Sequence, residues 1–127
     1  MPNSEVAGGG QPVTLRRWRV VEVVTRHGGR TRHVWGHDVV LDEGRVSSPV
    51  VNFTLATMTV VTSSGSRYRL GGLPAHSRKG QPVWEEWCRV NEVISERDVT
   101  NEYMDPDDVS TRQFMALNVS AFSGKTE

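Results

Sequence analysis

The chain has 127 residues, 36% of them hydrophobic and 24% charged, with four tryptophans; that is enough for one soluble core and too little for two. Its formal charge is zero, and its single cysteine, Cys88, excludes an intrachain disulfide and a multi-cysteine zinc site. No apolar run approaches the roughly 18 residues of a membrane span, and the start MPNSEVAGGGQP lacks the charged and apolar blocks of a signal peptide, so a cytoplasmic location without membrane contact is expected.

The zero charge hides an asymmetry. Residues 13–80 hold eleven Lys/Arg against four Asp/Glu, and residues 81–127 hold four against ten. A chain that is basic first and acidic last either exposes a surface for nucleic acid or packs its halves together so that they neutralise one another.

In chain order, residues 1–12 are small and polar with a triple glycine and read as a tail. Residues 13–117 form one domain, and 118–127 a second tail. Thr14–Thr25 and Thr31–Leu41 are rich in Val, Trp and Thr and flank His27-Gly28-Gly29-Arg30, which predicts a hairpin with the two glycines as its loop. That loop places Arg19 opposite Asp38 and Glu22 opposite Trp35, diagonal to both His33 and His37. The HxxxH spacing of those histidines suits a metal on a helix. On a strand the two rings are separated by about 13 Å, so no shared ion is expected.

Asp42-Glu43-Gly44 forms the next turn. Arg45–Phe53 is extended, with Pro49 forcing an edge position or a break because it has no N–H to donate. Met58–Thr62 and Arg67–Leu70 flank a turn at Ser63–Ser66, with Tyr68 and Leu70 inward and Arg67 and Arg69 outward. Pro82 opens a helix through about Val93, with Val83, Trp84, Trp87, Cys88 and Val90 as its apolar stripe and Glu85, Glu86, Arg89 and Glu92 outside it. Val93-Ile94 and Asp98–Tyr103 add a short strand. Asp105 and Pro106 then start a second helix to about Leu117, docking through Val109, Phe114 and Leu117.

Few residue groups carry chemistry. There is no Gly-x-Ser-x-Gly elbow and no glycine-rich loop between a strand and a helix. Cys88 lies on the apolar stripe, where burial blunts a thiol. Glu102, Asp105, Asp107 and Asp108 lack the alternation of a calcium loop and are explained by helix capping. No cofactor is expected. Arg17, Arg19, Arg30, Arg32, Arg67 and Arg69 could line a nucleic-acid surface that Arg26, Arg78 and Lys79 extend.

The stretches GRVSSPVVNF, TSSGSRYRLGG and the WEEWC helix followed by DVTNEYM lie within about Trp18–Met104. This run resembles small uncharacterised proteobacterial proteins associated with prophages or mobile elements. The resemblance carries no catalytic residue. It implies a factor that binds and retunes a host machine without chemistry.

The expected fold is α+β: a twisted antiparallel sheet of four to six hairpin strands, an amphipathic helix packed on it and a C-terminal helix, with a partly closed barrel as the alternative. The expected function is non-enzymatic binding of a host protein, as an accessory or inhibitory factor. The contact residues would be Arg45, Val46, Val50 and Phe53 on the edge and Glu85, Glu86 and Asp107 in the acidic half. Strand addition at that edge would also permit a homodimer. The alternative is nucleic-acid binding through the basic half.

Overall fold

The computed structural model describes residues 11–107. Seven strands and one helix follow in order: β1 (Val13–Thr25), β2 (Arg30–Asp38), β3 (Glu43–Val46), β4 (Val50–Thr54), β5 (Thr59–Thr62), β6 (Arg67–Leu70), α1 (Gly80–Val90) and β7 (Val93–Asp98). Short 3-10 turns occupy Leu55–Thr57 and Thr100–Tyr103. The class is α+β as expected. The expected second helix begins at the end of the described residues and lies outside them, as do most of the two tails.

The sheet is mixed rather than wholly antiparallel, and it exceeds the expected four to six strands. Its order is β3-β2-β1-β6-β5-β4, with β7 added to β1. β3 and β4, at the two ends of this path, are consecutive in the chain. Ser47 continues the pairing of β3 with β2: its N–H donates to Val34 O at 2.9 Å, and its Oγ accepts from Val34 N–H at 3.0 Å. Pro49 breaks the ladder between the two segments, as its missing N–H requires. The sheet therefore curls into a partly closed barrel in which β3 and β4 act as halves of one bent strand. A meander with an odd number of staves must close with a parallel pair. That pair is β1 with β6, Val13 opposite Tyr68 and Leu15 opposite Leu70.

β1 has thirteen residues and serves two neighbours along one edge, β6 beside its first residues and β7 beside its last, Val21 opposite Asp98 to Val24 opposite Ser95. A bulge between Arg16 and Arg19, with Arg17 at φ 50°, re-aims the strand between those two jobs. Leu15 and Trp18 are three apart, yet both enter the barrel interior, where they join Val20, Val34, Val60, Tyr68 and Leu70.

The hairpin register corrects the two-glycine loop. Thr25 N–H donates to Gly29 O at 3.0 Å and Gly28 N–H to Thr25 O at 2.9 Å, so the loop is Arg26, His27 and Gly28, with Gly28 alone at positive φ, 90°. Val20 then faces Val34, Val21 faces His33 and Glu22 faces Arg32. Arg19 faces Trp35 rather than Asp38, and its charge goes instead to Asp98.

The outer face of this hairpin is also buried. A second core of Val21, Val23, Trp35 and Trp84 lies between the hairpin and α1. Trp35 stacks on Trp84 (centroids 5.8 Å, planes 7° apart), Trp84 on Trp87 (5.5 Å, 7°), and Trp87 lies 4.3 Å from the His33 ring. This column of four rings holds the helix to β2. α1 starts two residues before Pro82, with Ser77 Oγ accepting the Gly80 N–H at 2.8 Å, and it ends short of Val93, which belongs to β7. Val83 and Val90 leave the predicted stripe: they are 39% and 60% exposed, and the buried face runs through Gly80, Trp84, Trp87 and Cys88. The start of α1 passes so close to β3 that a β-carbon on Gly44 would lie 2.1 Å from Lys79 O, so only glycine fits there.

Candidate nucleic-acid interface

The fold splits the basic residues into two groups. Near the turn end of β1–β2, the acidic half of the chain comes alongside and neutralises them. Arg19 pairs with Asp98 at 3.0 Å, Arg26 with Glu92 at 3.0 Å, and Arg32 with Glu102 at 2.8 Å. Glu22 draws in Arg30 (3.4 Å), Arg32 (3.2 Å) and Arg97 (3.0 Å). The bond from Arg97, seconded by Arg32 and opposed by burial, holds the Glu22 carboxyl below its usual range. The Arg32 guanidinium is held firmly protonated by Tyr103 and Glu102 in turn. Glu22 bonds neither histidine, its carboxylate being taken up by the three arginines.

At the opposite end of β1 the cations stay open. Arg16, Arg69 and Arg78 make no ion pair or side-chain hydrogen bond among the described residues, and Arg17 reaches only His76 O at a long 3.4 Å. In the parallel pairing, Thr14 lies opposite Arg69 and Leu15 opposite Leu70. Leu15 and Leu70 point inward, so Thr14, Arg16 and Arg69 share the outer face. Arg16 also lies opposite His37 on β2. The outer face thus carries a cross-strand stripe of Arg69, Arg16 and His37. The bulged Arg17 sits beside it. Arg67, half-buried on β6 opposite Val61, continues the stripe along its strand.

Arg16, Arg17 and His37 line a cleft of about 550 Å³, closed on the far side by Gly71, Gly72, Leu73, Pro74 and Ala75. A second cleft of about 410 Å³ adjoins it, sharing Gly72, Leu73 and Pro74 and lined also by Trp18, Leu55, Met58, Leu70, Met104 and Asp105. Trp18 Nε1 donates to Gly72 O at 3.1 Å, which ties the shared wall to the core.

The histidines of the opening hairpin go to different tasks. His33 is 1% exposed. Ser47 O, 2.8 Å from Nδ1, can only accept, so Nδ1 carries the proton and Nε2 accepts from the Thr31 hydroxyl at 2.7 Å. Burial lowers its pKa below the ordinary 6.5, against the opposing pull of the Ser47 bond. His37 Nε2 meets Asp42 Oδ1 at 2.8 Å, and Asp42 also takes Lys79 at 2.9 Å. One ring is interior packing and the other edges the basic cleft. Burial pushes the Cys88 thiol up to about 11, with Glu96 and Glu85 adding to the shift, so thiolate chemistry at neutral pH has no basis.

The residues expected to meet a protein partner are dispersed. Arg45 turns to the buried Asp38 at 2.9 Å. Val46 packs on the helix-side core, while Val50 and Phe53 pack on the barrel core, leaving Val51 and Asn52 as the exposed side chains within that edge. Glu85 and Glu86 are exposed on α1, where Gln81 donates to Glu85 and Arg89 pairs with Glu86. Asp107 closes the described chain, its N–H donating to Asp105 Oδ1 at 2.9 Å.

Sequence reasoning passed over Arg16 and the second cleft. The signal for Arg16 was present: two adjacent arginines before Trp18 break strand alternation and mark a bulge. The second cleft joins residues from four separate segments and has no local signal. Comparison with protein-family models, with curated proteins and with solved structures gives no match, so the functional reading rests on this geometry.

Proposed function

We propose that this chain is a small non-enzymatic binding protein that holds nucleic acid by its phosphate backbone. One observation supports the reading: among the described residues Arg16, Arg17 and Arg69 make no ion pair, and they gather at one end of β1, where Arg16 and Arg17 line a cleft that also receives His37. Guanidinium groups that fold stability does not use are the groups available to replace counterions along a phosphodiester chain. The test is an oligonucleotide titration across salt. Each lost phosphate contact reduces the magnitude of the log–log salt slope by roughly 0.7–0.9. Arg16→Gln with Arg69→Gln should flatten it by about two contacts, while Arg30→Gln, already paired with Glu22, should change it little. Absence of binding at low salt, or an equal effect of Arg30→Gln, removes the reading.

Contact with a host protein, in a mobile-element accessory or inhibitory role, is a second reading. It draws on the sequence resemblance and on Val83, Val90 and Ile94, which are 39%, 60% and 67% exposed. The two valines, seven apart on α1, share one helix face. Val90→Glu with Ile94→Glu separates the readings, since it should abolish such a contact and leave nucleic-acid affinity unchanged.

A further inference from the structure

We infer that the second cleft, which adjoins the basic one at Gly72, Leu73 and Pro74, receives an unpaired base, so that the nucleic acid bound is single-stranded. This rests on the basic cleft being a phosphate site and says which form of nucleic acid it takes. The two clefts, about 550 Å³ and about 410 Å³, share Gly72, Leu73 and Pro74 as their common wall. The two spaces therefore adjoin, one lined by Arg16, Arg17 and His37 and the other chiefly by Leu, Met and Pro side chains. A sugar likewise places a base beside its phosphate.

The charges are sorted in the same sense. Arg16, Arg17 and His37 all line the first cleft, and among the described residues Asp105 is the only ionisable side chain that lines the second. A phosphate is drawn to the first and repelled from the second. A base entering the second meets the apolar faces of Leu55, Leu73 and Pro74 and the thioethers of Met58 and Met104, which make favourable contacts with aromatic rings. Asp105 can accept a hydrogen bond from an exocyclic amino group at the mouth. In a duplex the bases are stacked and paired, so none is free to cross the wall.

The test compares a short single-stranded oligonucleotide, the same sequence as a blunt duplex, and inorganic polyphosphate, each by competition at one salt concentration. The single strand should bind about tenfold more tightly than the duplex, the scale of one base buried against a protein surface. Leu55→Ser, at a side chain that lines the second cleft and not the first, should remove most of that difference and leave polyphosphate affinity unchanged. That side chain is already 40% exposed, so folding should survive the change. Equal affinity for single strand and duplex in the wild-type protein overturns the inference while leaving the phosphate-backbone reading standing. Failure of all three ligands to bind overturns both.

Discussion

Gly44→Ala tests whether the contact between β3 and the start of α1 is as close as the geometry says. A β-carbon there would sit 2.1 Å from Lys79 O, 2.7 Å from Lys79 C and 2.8 Å from Gly80 Cα, whereas ordinary van der Waals contact begins at 3.4 Å. The helix start would have to retreat by more than an ångström. All three clashing atoms are backbone, so no side-chain rotation relieves them. Retreat is opposed by the Ser77 cap on Gly80 and by the ring column that begins with Trp35 on Trp84. Overpacking of a core costs about 1–3 kcal/mol, and a purely backbone clash belongs near the top of that range, about 3 kcal/mol. For a domain of this size that corresponds to a fall in Tm of roughly 10–20 °C. The assay is urea unfolding followed by circular dichroism, with thermal melts in parallel. Gly29→Ala is the control: its new β-carbon would meet nothing nearer than Thr25 Oγ1 at 3.6 Å, and the change should stay within about 0.5 kcal/mol. A Gly44→Ala protein within about 1 kcal/mol of wild type at unchanged m-value would refute the packing argument.

Three further outcomes are expected. His33 has its pKa depressed below 6.5 in the folded chain chiefly by burial, so the unfolded chain binds the proton first as pH falls. Stability is therefore complete above about 6.5 and lost below it, by at most about 1.4 kcal/mol per pH unit, until the folded-state pKa is passed; a His33→Gln protein with an unaltered slope would contradict this. Cys88, with its thiol at about 11, should react with iodoacetamide far more slowly in the native protein than in urea, and equal rates would show that the helix face is open. Asp38 is 2% exposed and accepts from Val40 N–H (3.0 Å), Leu41 N–H (3.1 Å) and Arg45 (2.9 Å). Asp38→Ala should cost about 2–3 kcal/mol in urea unfolding and Asp38→Asn about 1 kcal/mol, because the amide keeps an oxygen for the two N–H groups; equal losses would mean that the charge, not the turn, is what matters.

The parts of the fold written in local chemistry were legible. Gly65 in its turn, the break at Pro49 and the inward Tyr68 and Leu70 each follow from a residue's own backbone or burial preference. The first hairpin's register was not legible, because both of its faces are buried. A strand with one wet face announces its register through alternation. Here Val20, Val21 and Val23 are all buried, on opposite sides, and a slip of the pairing leaves apolar residues on either face. The double glycine then suggested a two-residue loop, whereas the chain uses a three-residue loop with one glycine in the left-handed region. The parallel closure of β1 on β6 was equally hidden, since it depends on the count of staves around the barrel and not on any stretch of sequence. The exposure of Val83 and Val90 follows from the ring column: Trp84 and Trp87 set which face of α1 turns inward, and the valines fall to its flank.

The acidic half of the chain neutralises the basic half at one end of β1 and not at the other. Where β7 runs beside β1, carboxylates from the acidic half come within 3.0 Å of Arg19 and Arg26 and within 2.8 Å of Arg32. Where β6 runs beside β1, no acidic residue occurs among the described residues that line the basic cleft. β1 can host both because the Arg17 bulge lies between its two pairing partners. The cross-half pairs are mostly solvated, and each is worth little to stability. Their larger effect is to cancel the field of one arginine group, so that the protein's attraction for an anion is concentrated at the other. A chain of zero net charge can thereby present a cationic cleft, provided that its acidic segment is directed to the far end of the same strand.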